Sequence, residues 1–240
     1  MDIEQTDHLD MDKNFKKPAL LLFDVYETLL SMDLVEKRVN HLLDSKRGYI
    51  IWFNLLMQHC FIESLTGVYH SFNEMAKVSL ELSHQLLGQN RGRDDEFQQI
   101  IELMKHLPVQ ENVQEGLSMI YDRGYRVAAL TNSPAAIVRN RMELTGLISY
   151  FEKVLSAEQL MKCKPAPEVY QWAAGMLGVD SSEVMVVSSH GWDIAGAKSS
   201  GMMTAKIGRS GLVRYPLSAV ADIECSDMVV LAQVLDQTWP

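Results

Sequence analysis

The stretch that decides the fold of this 240-residue chain is Ala19-Leu20-Leu21-Leu22-Phe23-Asp24-Val25-Tyr26-Glu27-Thr28. Its first five residues are an uninterrupted apolar run, which is typical of a strand buried on both faces of a parallel sheet. Asp24 then ends the run with a carboxylate. Because ligands bind beyond the carboxyl ends of parallel strands, this position predicts chemistry as well as fold.

Toward the C-terminus the hydrophobic pattern changes twice. Between about residues 33 and 107, apolar residues recur at helical spacing and indicate about four helices with no strand between them. After Pro108 the pattern alternates between strands, over residues 126–130, 151–155, 184–187 and 203–207, and helices, over 112–122, after 133–134, over 167–177 and over 192–199. Such alternation predicts an α/β fold with a Rossmann-like, doubly wound parallel sheet.

The same patterns divide the chain into three parts. Residues 18–30 and 108–240 are predicted to form the Rossmann-like core, and residues 31–107 a helical cap inserted after the first strand. The polar, acidic residues 1–17 are predicted to be a disordered leader. A length of 240 residues is about 1.6 times a typical ~150-residue domain, which fits one core with one insertion.

Composition argues against several classes of partner. The chain has 22 Lys and Arg against 31 Asp and Glu, a formal charge of −9, which argues against nucleic acid or an anionic membrane surface. A small anionic substrate remains compatible, because it responds to the local field of one pocket. No apolar run approaches the ~20 residues of a membrane-spanning helix. The three cysteines are widely spaced and predict a reduced, cytoplasmic protein.

Polar and charged side chains follow the predicted strands, at the ligand-binding edge of the sheet. A carboxylate comes first, at Asp24, and Thr131 and Asn132 follow a second strand. Lys164 precedes a helix. The last fragment, Ser188-Ser189-His190-Gly191-Trp192-Asp193, supplies a second carboxylate. A carboxylate, a hydroxyl, a lysine and another carboxylate therefore meet at one edge.

In this order the four fragments resemble the haloacid dehalogenase superfamily, over about residues 19–209. The finer resemblance is to its L-2-haloacid dehalogenase branch. Superfamily phosphatases have a second Asp two residues after the first, whereas Tyr26 stands there in this chain, as in the dehalogenases. The Ser-Ser-x-x-Trp-Asp run, Tyr170 six residues after Lys164, and Trp52 in the predicted cap are also similar.

The resemblance implies hydrolysis of the carbon–halogen bond of a small 2-haloacid without a metal or other cofactor. A carboxylate can displace halide and form an ester, which water then hydrolyses. The residues implied as catalytic are Asp24 (the nucleophile), Lys164, Asp193, Thr28 and Ser188. Those implied as substrate-binding are Tyr26, Thr131, Asn132, Trp52, Phe53, Tyr170, His190 and Trp192.

Charge suggests how some of these residues act. Lys164 would hold Asp24 ionised and partly neutralise the pocket. Asp193 would orient Lys164 or activate water. The helix that begins near Pro134 would offer free backbone N–H groups to an anion.

Three positions depart from the pattern of the branch. Phe53 follows the cap tryptophan where an arginine is typical, Glu27 replaces a glycine, and His190 replaces an asparagine. Loss of the guanidinium removes a permanent charge from the implied halide site. His190 can donate to an anion or to water, and Arg209, beyond the last strand of the alternating run, is another candidate cation.

Other functions stay open from the residues alone: a Mg²⁺-dependent phosphatase, a hydrolase for another small anion, or a binding protein without catalysis. Mg²⁺ prefers hard oxygen ligands, and Ser188, Ser189 and His190 stand where superfamily metal sites have acidic residues. No metal site is therefore predicted. Asp24, Lys164 and Asp193 together argue against a binding protein. A homodimer is implied by the resemblance alone.

Overall fold

A central sheet organises the protein in the computed structural model, which describes residues 8–9, 16–89, 94–209 and 217–240. Its seven strands in these ranges are β1 His8–Leu9, β2 Leu20–Phe23, β3 Arg126–Thr131, β4 Lys153–Ser156, β5 Val184–Ser188, β6 Met203–Ile207 and β7 Ile223–Cys225. Their order is β1-β7-β6-β5-β2-β3-β4, and all neighbours pair in parallel except β1 with β7. The predicted α/β class with a doubly wound parallel sheet is confirmed.

Strand β2 lies in the middle of the sheet because all of its side chains are apolar and all are buried. It pairs with β3 on one side and β5 on the other, so that Phe23 is opposite both Ala129 and Val187. This register brings the carboxyl ends of the three strands to one edge. The residues that follow each strand therefore lie beside one another.

Helices surround the sheet and form a separate layer above its carboxyl edge. Four lie in the segment predicted as the cap: α1 Asp33–Leu42, α2 Gly48–Thr66, α3 Phe72–Leu86 and α4 Asp94–Met104. The core has α5 Val113–Asp122, α6 Ala135–Leu144, α7 Pro167–Leu177, α8 Gly191–Ser199 and α9 Met228–Thr238. Helix 167–177 and strand 203–207 have the predicted bounds, and the other boundaries move by up to three residues. The sequence analysis missed α9 and also β7, whose three residues give too short a pattern.

The helical segment is joined to the core by two stretches of backbone that run side by side. Leu30 and Val109 form an antiparallel bridge, and the N–H of Ser31 donates to the carbonyl of Pro108 over 2.9 Å. Farther along, the N–H of Cys163 donates to Ser64 Oγ on α2 over 3.0 Å. The cap therefore contacts the core at its base and along α2.

The N-terminal segment departs in part from its prediction as a disordered leader over residues 1–17. His8–Leu9 pairs with Ile223 and Glu224 of β7, so the leader is ordered at these two residues, because β7 otherwise leaves an unpaired edge. Residues 1–7 and 10–15 lie outside the described part of the chain. Among the helices of the described residues, none is both long and apolar enough to cross a membrane.

Candidate active site

Asp24 is the centre of a buried hydrogen-bonded group at the end of β2. Lys164 Nζ lies 2.7 Å from its Oδ1, while Thr28 Oγ1 and His190 Nδ1 lie 2.9 and 3.1 Å from its Oδ2. Burial by itself disfavours the carboxylate, but Lys164 and His190 outweigh burial and hold the pKa of Asp24 well below its usual range. Asp24 is therefore an anion at neutral pH.

Lys164 joins Asp24 to a second carboxylate. Its Nζ lies 3.0 Å from Oδ2 of Asp193, and its side chain is only 2% exposed. Burial opposes the charge on Lys164, but the charges of Asp193 and Asp24 outweigh it and raise the pKa of the ammonium. The ammonium thus sits between two carboxylates as a fixed cation.

Thr28 is oriented by the loop after β5. The N–H of Ser189 donates to Thr28 Oγ1 over 3.0 Å. Because that contact occupies an oxygen lone pair, the hydroxyl proton is free to point at Asp24 Oδ2. Thr28 is therefore a hydrogen-bond donor to the carboxylate of Asp24.

Two side chains predicted to act on substrate or nucleophile instead hold the backbone of their neighbours. The carbonyl oxygen of Asn132 accepts from the N–H of Lys164 at 2.7 Å, and Ser188 Oγ accepts from the N–H of His190 at 3.1 Å. Both side chains are buried. Asn132 therefore positions the backbone of Lys164 across two loops, and Ser188 positions that of His190 within its own loop.

Tyr170 also has a role other than the predicted contact with substrate. It is fully buried, and its hydroxyl donates to Oδ1 of Asp193. A Cβ on Gly196 would lie 2.7 Å from this hydroxyl, so the glycine is what allows α8 to approach. Tyr170 orients Asp193, which in turn holds Lys164.

The remaining predicted binding residues lie around the same edge. Thr131 is buried and its Oγ1 accepts from the N–H of Ser133 at 3.1 Å, which shapes the start of α6. The ring of Trp192 lies 5.0 Å from that of His190 and 5.6 Å from Lys164 Nζ. The indole N–H of Trp52 donates to the carbonyl of Ala76, within the cap, over 2.9 Å. The polar atom of Trp52 is therefore already bonded, and its ring lines a cavity.

A cavity of about 30 Å³ lies between the cap and this edge of the core. Phe53 closes one side, with its ring stacked 5.8 Å from His190 and 5.9 Å from Tyr49. The lining is mostly aromatic and aliphatic: Tyr26, Glu27, Met32, Tyr49, Trp52, Phe53, Leu56, Phe72, Asn73, Ala76, Phe97, Ile100, Ile101, Met104 and His190. His190 both lines this cavity and contacts Asp24.

The carboxylates of Asp24 and Asp193 are joined by the ammonium of Lys164. Lys164 Nζ stands between Asp24 and Asp193 at hydrogen-bond distance from each. Within the described ranges, no group of three or more His, Cys, Asp or Glu side chains is arranged to hold a metal ion. The donor set therefore does not fit Mg²⁺.

Comparison with known proteins decides the family. The family model of haloacid dehalogenase-like hydrolases matches residues 18–201. The chain belongs to this family. The predicted resemblance is thereby confirmed, and the match spans the cap and the core up to the end of α8.

Individual relatives of this haloacid dehalogenase-like hydrolase point to one branch. It is 28% identical over 194 residues to (S)-2-haloacid dehalogenase 4A of Burkholderia cepacia, covering 79% of this chain and 83% of that protein. It is 25% identical over 218 residues to the (S)-2-haloacid dehalogenase of Pseudomonas sp. strain YL, covering 90% and 94%. The fold matches L-2-haloacid dehalogenase from Xanthobacter autotrophicus with chloropropionic acid covalently bound, with a TM-score of 0.81, 20% identity and coverage of 91% and 98%.

Two ionisable residues of the cavity lining, Glu27 and Tyr49, were not predicted as site residues. Glu27 has a left-handed backbone, with φ of 65°, at the position where the branch has glycine. Tyr49 donates to Glu27 Oε1 over 2.8 Å, and burial raises the pKa of Glu27. Tyr49 precedes Trp52 and Phe53 by one helical turn of α2. This spacing places the three rings on one helix face and could have indicated Tyr49 from the sequence.

Arg209 was predicted as a second cation for the site and has another role. Its guanidinium donates to the carbonyls of Glu27 and Thr28 over 3.4 and 3.3 Å. These bonds hold the loop after β2, and they engage the guanidinium with backbone carbonyls. Lys164 and His190 remain as the nitrogen groups that contact the Asp24 carboxylate.

Proposed function

We propose that this hydrolase cleaves the carbon–halogen bond of small 2-haloacids through an ester on Asp24. The observation that carries the proposal is the ionised, buried carboxylate of Asp24, held by Lys164 and Thr28 beside a cavity closed by the cap. The (S)-2-haloacid dehalogenases among its relatives support the substrate class.

In the first step an Asp24 oxygen attacks the carbon that bears the halogen. The new C–O bond forms as the C–halogen bond breaks, and the bonding electrons leave with the halide. Lys164 keeps Asp24 ionised before attack and offsets the negative charge of a substrate carboxylate. Asp24 is held by three donors, so its attacking oxygen needs little reorganisation.

In the second step water attacks the carboxyl carbon of Asp24 and the bond from that carbon to the ester oxygen breaks. One proton of the water goes to the oxygen of the leaving 2-hydroxy acid and the other to solvent, so that Asp24 returns as a carboxylate. Asp193 uses Oδ2 for Lys164 and Oδ1 for Tyr170. Of the two roles predicted for Asp193, orientation of Lys164 is therefore favoured over activation of water. Lys164 and Thr28 remain placed to stabilise charge on the Asp24 oxygens.

The substrate carboxylate is proposed to bind at the start of α6. The N–H groups of Ala135 and Ala136 precede the first helical hydrogen bonds, which begin at Ile137 and Val138. Nearby, Ser189 Oγ and Trp192 Nε1 are buried with no hydrogen-bond partner among the described residues. These donors suit an anion.

The test is release of halide from (S)-2-chloropropionate by the purified protein, with Asp24→Asn as control. Single turnover in ¹⁸O-labelled water adds a second readout, because hydrolysis at the carboxyl carbon places the label in Asp24. Chloride release that persists in Asp24→Asn would overturn the proposal. So would label that enters the product alone.

A phosphatase is not favoured by the geometry. Tyr26 occupies the position of the second aspartate, and burial raises its pKa to about 12. A phenol that stays protonated at neutral pH cannot replace a carboxylate as the general acid/base of the reaction.

We also propose a reducing, cytoplasmic environment and a homodimer. All three cysteines are buried thiols, which supports the compartment. The resemblance alone supports the dimer. Light scattering at several protein concentrations tests the dimer, and a monomeric mass throughout would overturn it.

A further inference from the structure

The hydrogen bond between His190 and Asp24 fixes the protonation of one ring nitrogen. His190 Nδ1 lies 3.1 Å from Asp24 Oδ2, and Asp24 is ionised. A carboxylate can only accept hydrogen bonds. Nδ1 therefore carries a proton in every charge state of the ring that keeps this contact.

The other ring nitrogen has no such partner. Nε2 of His190 is buried, and no residue in the described ranges donates to it or accepts from it. The ring is held between Phe53 and Trp192, with centroid distances of 5.8 and 5.0 Å. It lines the cavity described above, so a molecule bound there can supply the missing partner.

Charged groups of both signs surround the ring. Asp24 contacts it directly, and the half-buried carboxyl of Glu27, on the loop after β2, interacts electrostatically with it. Lys164 opposes this charge from the far side of Asp24, but its own charge is balanced by Asp193. The remaining acidic neighbours, Tyr26 and Tyr49, are neutral phenols.

We propose that His190 acts as an imidazolium, a catalytic residue whose Nε2–H donates a hydrogen bond to the departing halide. This inference rests on the proposed function. As the Asp24 oxygen bonds to carbon, the halogen leaves with the bonding electrons and gains the hydrogen bond, and the ring keeps its proton. His190 thus supplies the cation that the branch places after the cap tryptophan, where this chain has Phe53.

Such a donor matters most for the leaving group that accepts hydrogen bonds most strongly. Fluoride is the strongest acceptor and the poorest leaving group among the halides, and bromide is the opposite. The dependence on His190 should therefore increase from bromoacetate to chloroacetate to fluoroacetate. A residue that only supports the structure would slow all three equally.

The experiment measures kcat/KM for the three haloacetates, because this parameter reports the steps up to halide departure. His190→Asn keeps an amide donor toward Asp24 and removes Nε2. We expect a loss of about 10²-fold or more with fluoroacetate, the size seen when a transition-state donor is removed, and at least a tenfold smaller loss with bromoacetate. His59→Asn, on the cap helix α2, is the matched control and should leave the three-substrate ratio unchanged.

Two outcomes separate this inference from the proposed function. An equal loss with all three haloacetates in His190→Asn would overturn the role of Nε2 and leave Asp24 chemistry standing. No turnover of any haloacetate by the native protein, with no ester on Asp24 by mass spectrometry, would overturn the proposed function and this inference with it.

Discussion

Lys164 Nζ lies 2.7 Å from Asp24 Oδ1, although 140 positions separate the two residues in the chain. Both side chains are buried, so neither charge can be solvated if the other is removed. The pair is therefore a determinant of stability as well as of the reactivity of Asp24.

Lys164→Met should abolish halide release and lower the free energy of unfolding by about 3–5 kcal/mol, because it leaves two buried carboxylates without their cation. Urea denaturation followed by circular dichroism measures the change. Lys162→Met is the control: its partly exposed pair with Glu168 is worth about 1 kcal/mol or less. Equal effects of the two substitutions would contradict the buried-pair interpretation.

The lowered pKa of Asp24 predicts a pH dependence of stability. In the folded state Asp24 stays ionised below the pH at which an unfolded aspartate, with pKa near 3.9, takes up a proton. Its stabilising contribution is thus present above about pH 4 and is lost as the pH falls toward its folded pKa. Between pH 4 and 2, Asp24→Asn should show a shallower fall in unfolding free energy than the native protein, by up to about 1.4 kcal/mol per pH unit.

Urea midpoints at half-unit pH steps provide the measurement for this pH dependence. Asp122→Asn, at an exposed position, should retain the slope of the native protein. Identical slopes for Asp24→Asn and the native protein would show that Asp24 is not held ionised.

Tyr170→Phe should lower kcat about tenfold while KM changes little, because the hydroxyl orients Asp193 and does not touch substrate. It should also cost about 1–3 kcal/mol of stability, since Oδ1 of Asp193 loses its buried donor. Steady-state halide release and urea denaturation check the two parts. Tyr150→Phe serves as the matched substitution at a half-buried tyrosine away from the site. A rise in KM with kcat unchanged would instead indicate that Tyr170 contacts the substrate, as the sequence predicts.

Phe53→Ala should broaden the substrate range. Phe53 closes one side of the cavity in which we propose that the halogen and any 2-substituent bind, so that its ring should favour the smallest acids. Removing the ring should raise the kcat/KM ratio of 2-chlorobutyrate to chloroacetate about tenfold or more, the size expected for added methylene groups in an apolar pocket. Phe61→Ala, on the same helix but lining a different groove, should leave this ratio unchanged.

The sequence was sufficient to predict the parallel sheet and the edge at which Asp24, Lys164 and Asp193 meet. An apolar run as short as β2 can be recognised because every side chain of a central parallel strand is buried. Asp24, Lys164 and Asp193 all follow strands of the parallel sheet in the chain. They therefore lie at its carboxyl edge. The match over residues 18–201 confirms the family that these positions indicated.

Only the tertiary structure decided what each polar side chain does at that edge. Asn132, Ser188 and Tyr170 stand at positions that predict contact with substrate, but their hydrogen bonds go to Lys164, His190 and Asp193. Position after a strand fixes a residue's neighbourhood, whereas the direction of a hydrogen bond depends on rotamers set by packing against distant segments. The cavity is the clearest case, because cap and core close it together, and neither segment's pattern specifies how Phe53 stacks on His190.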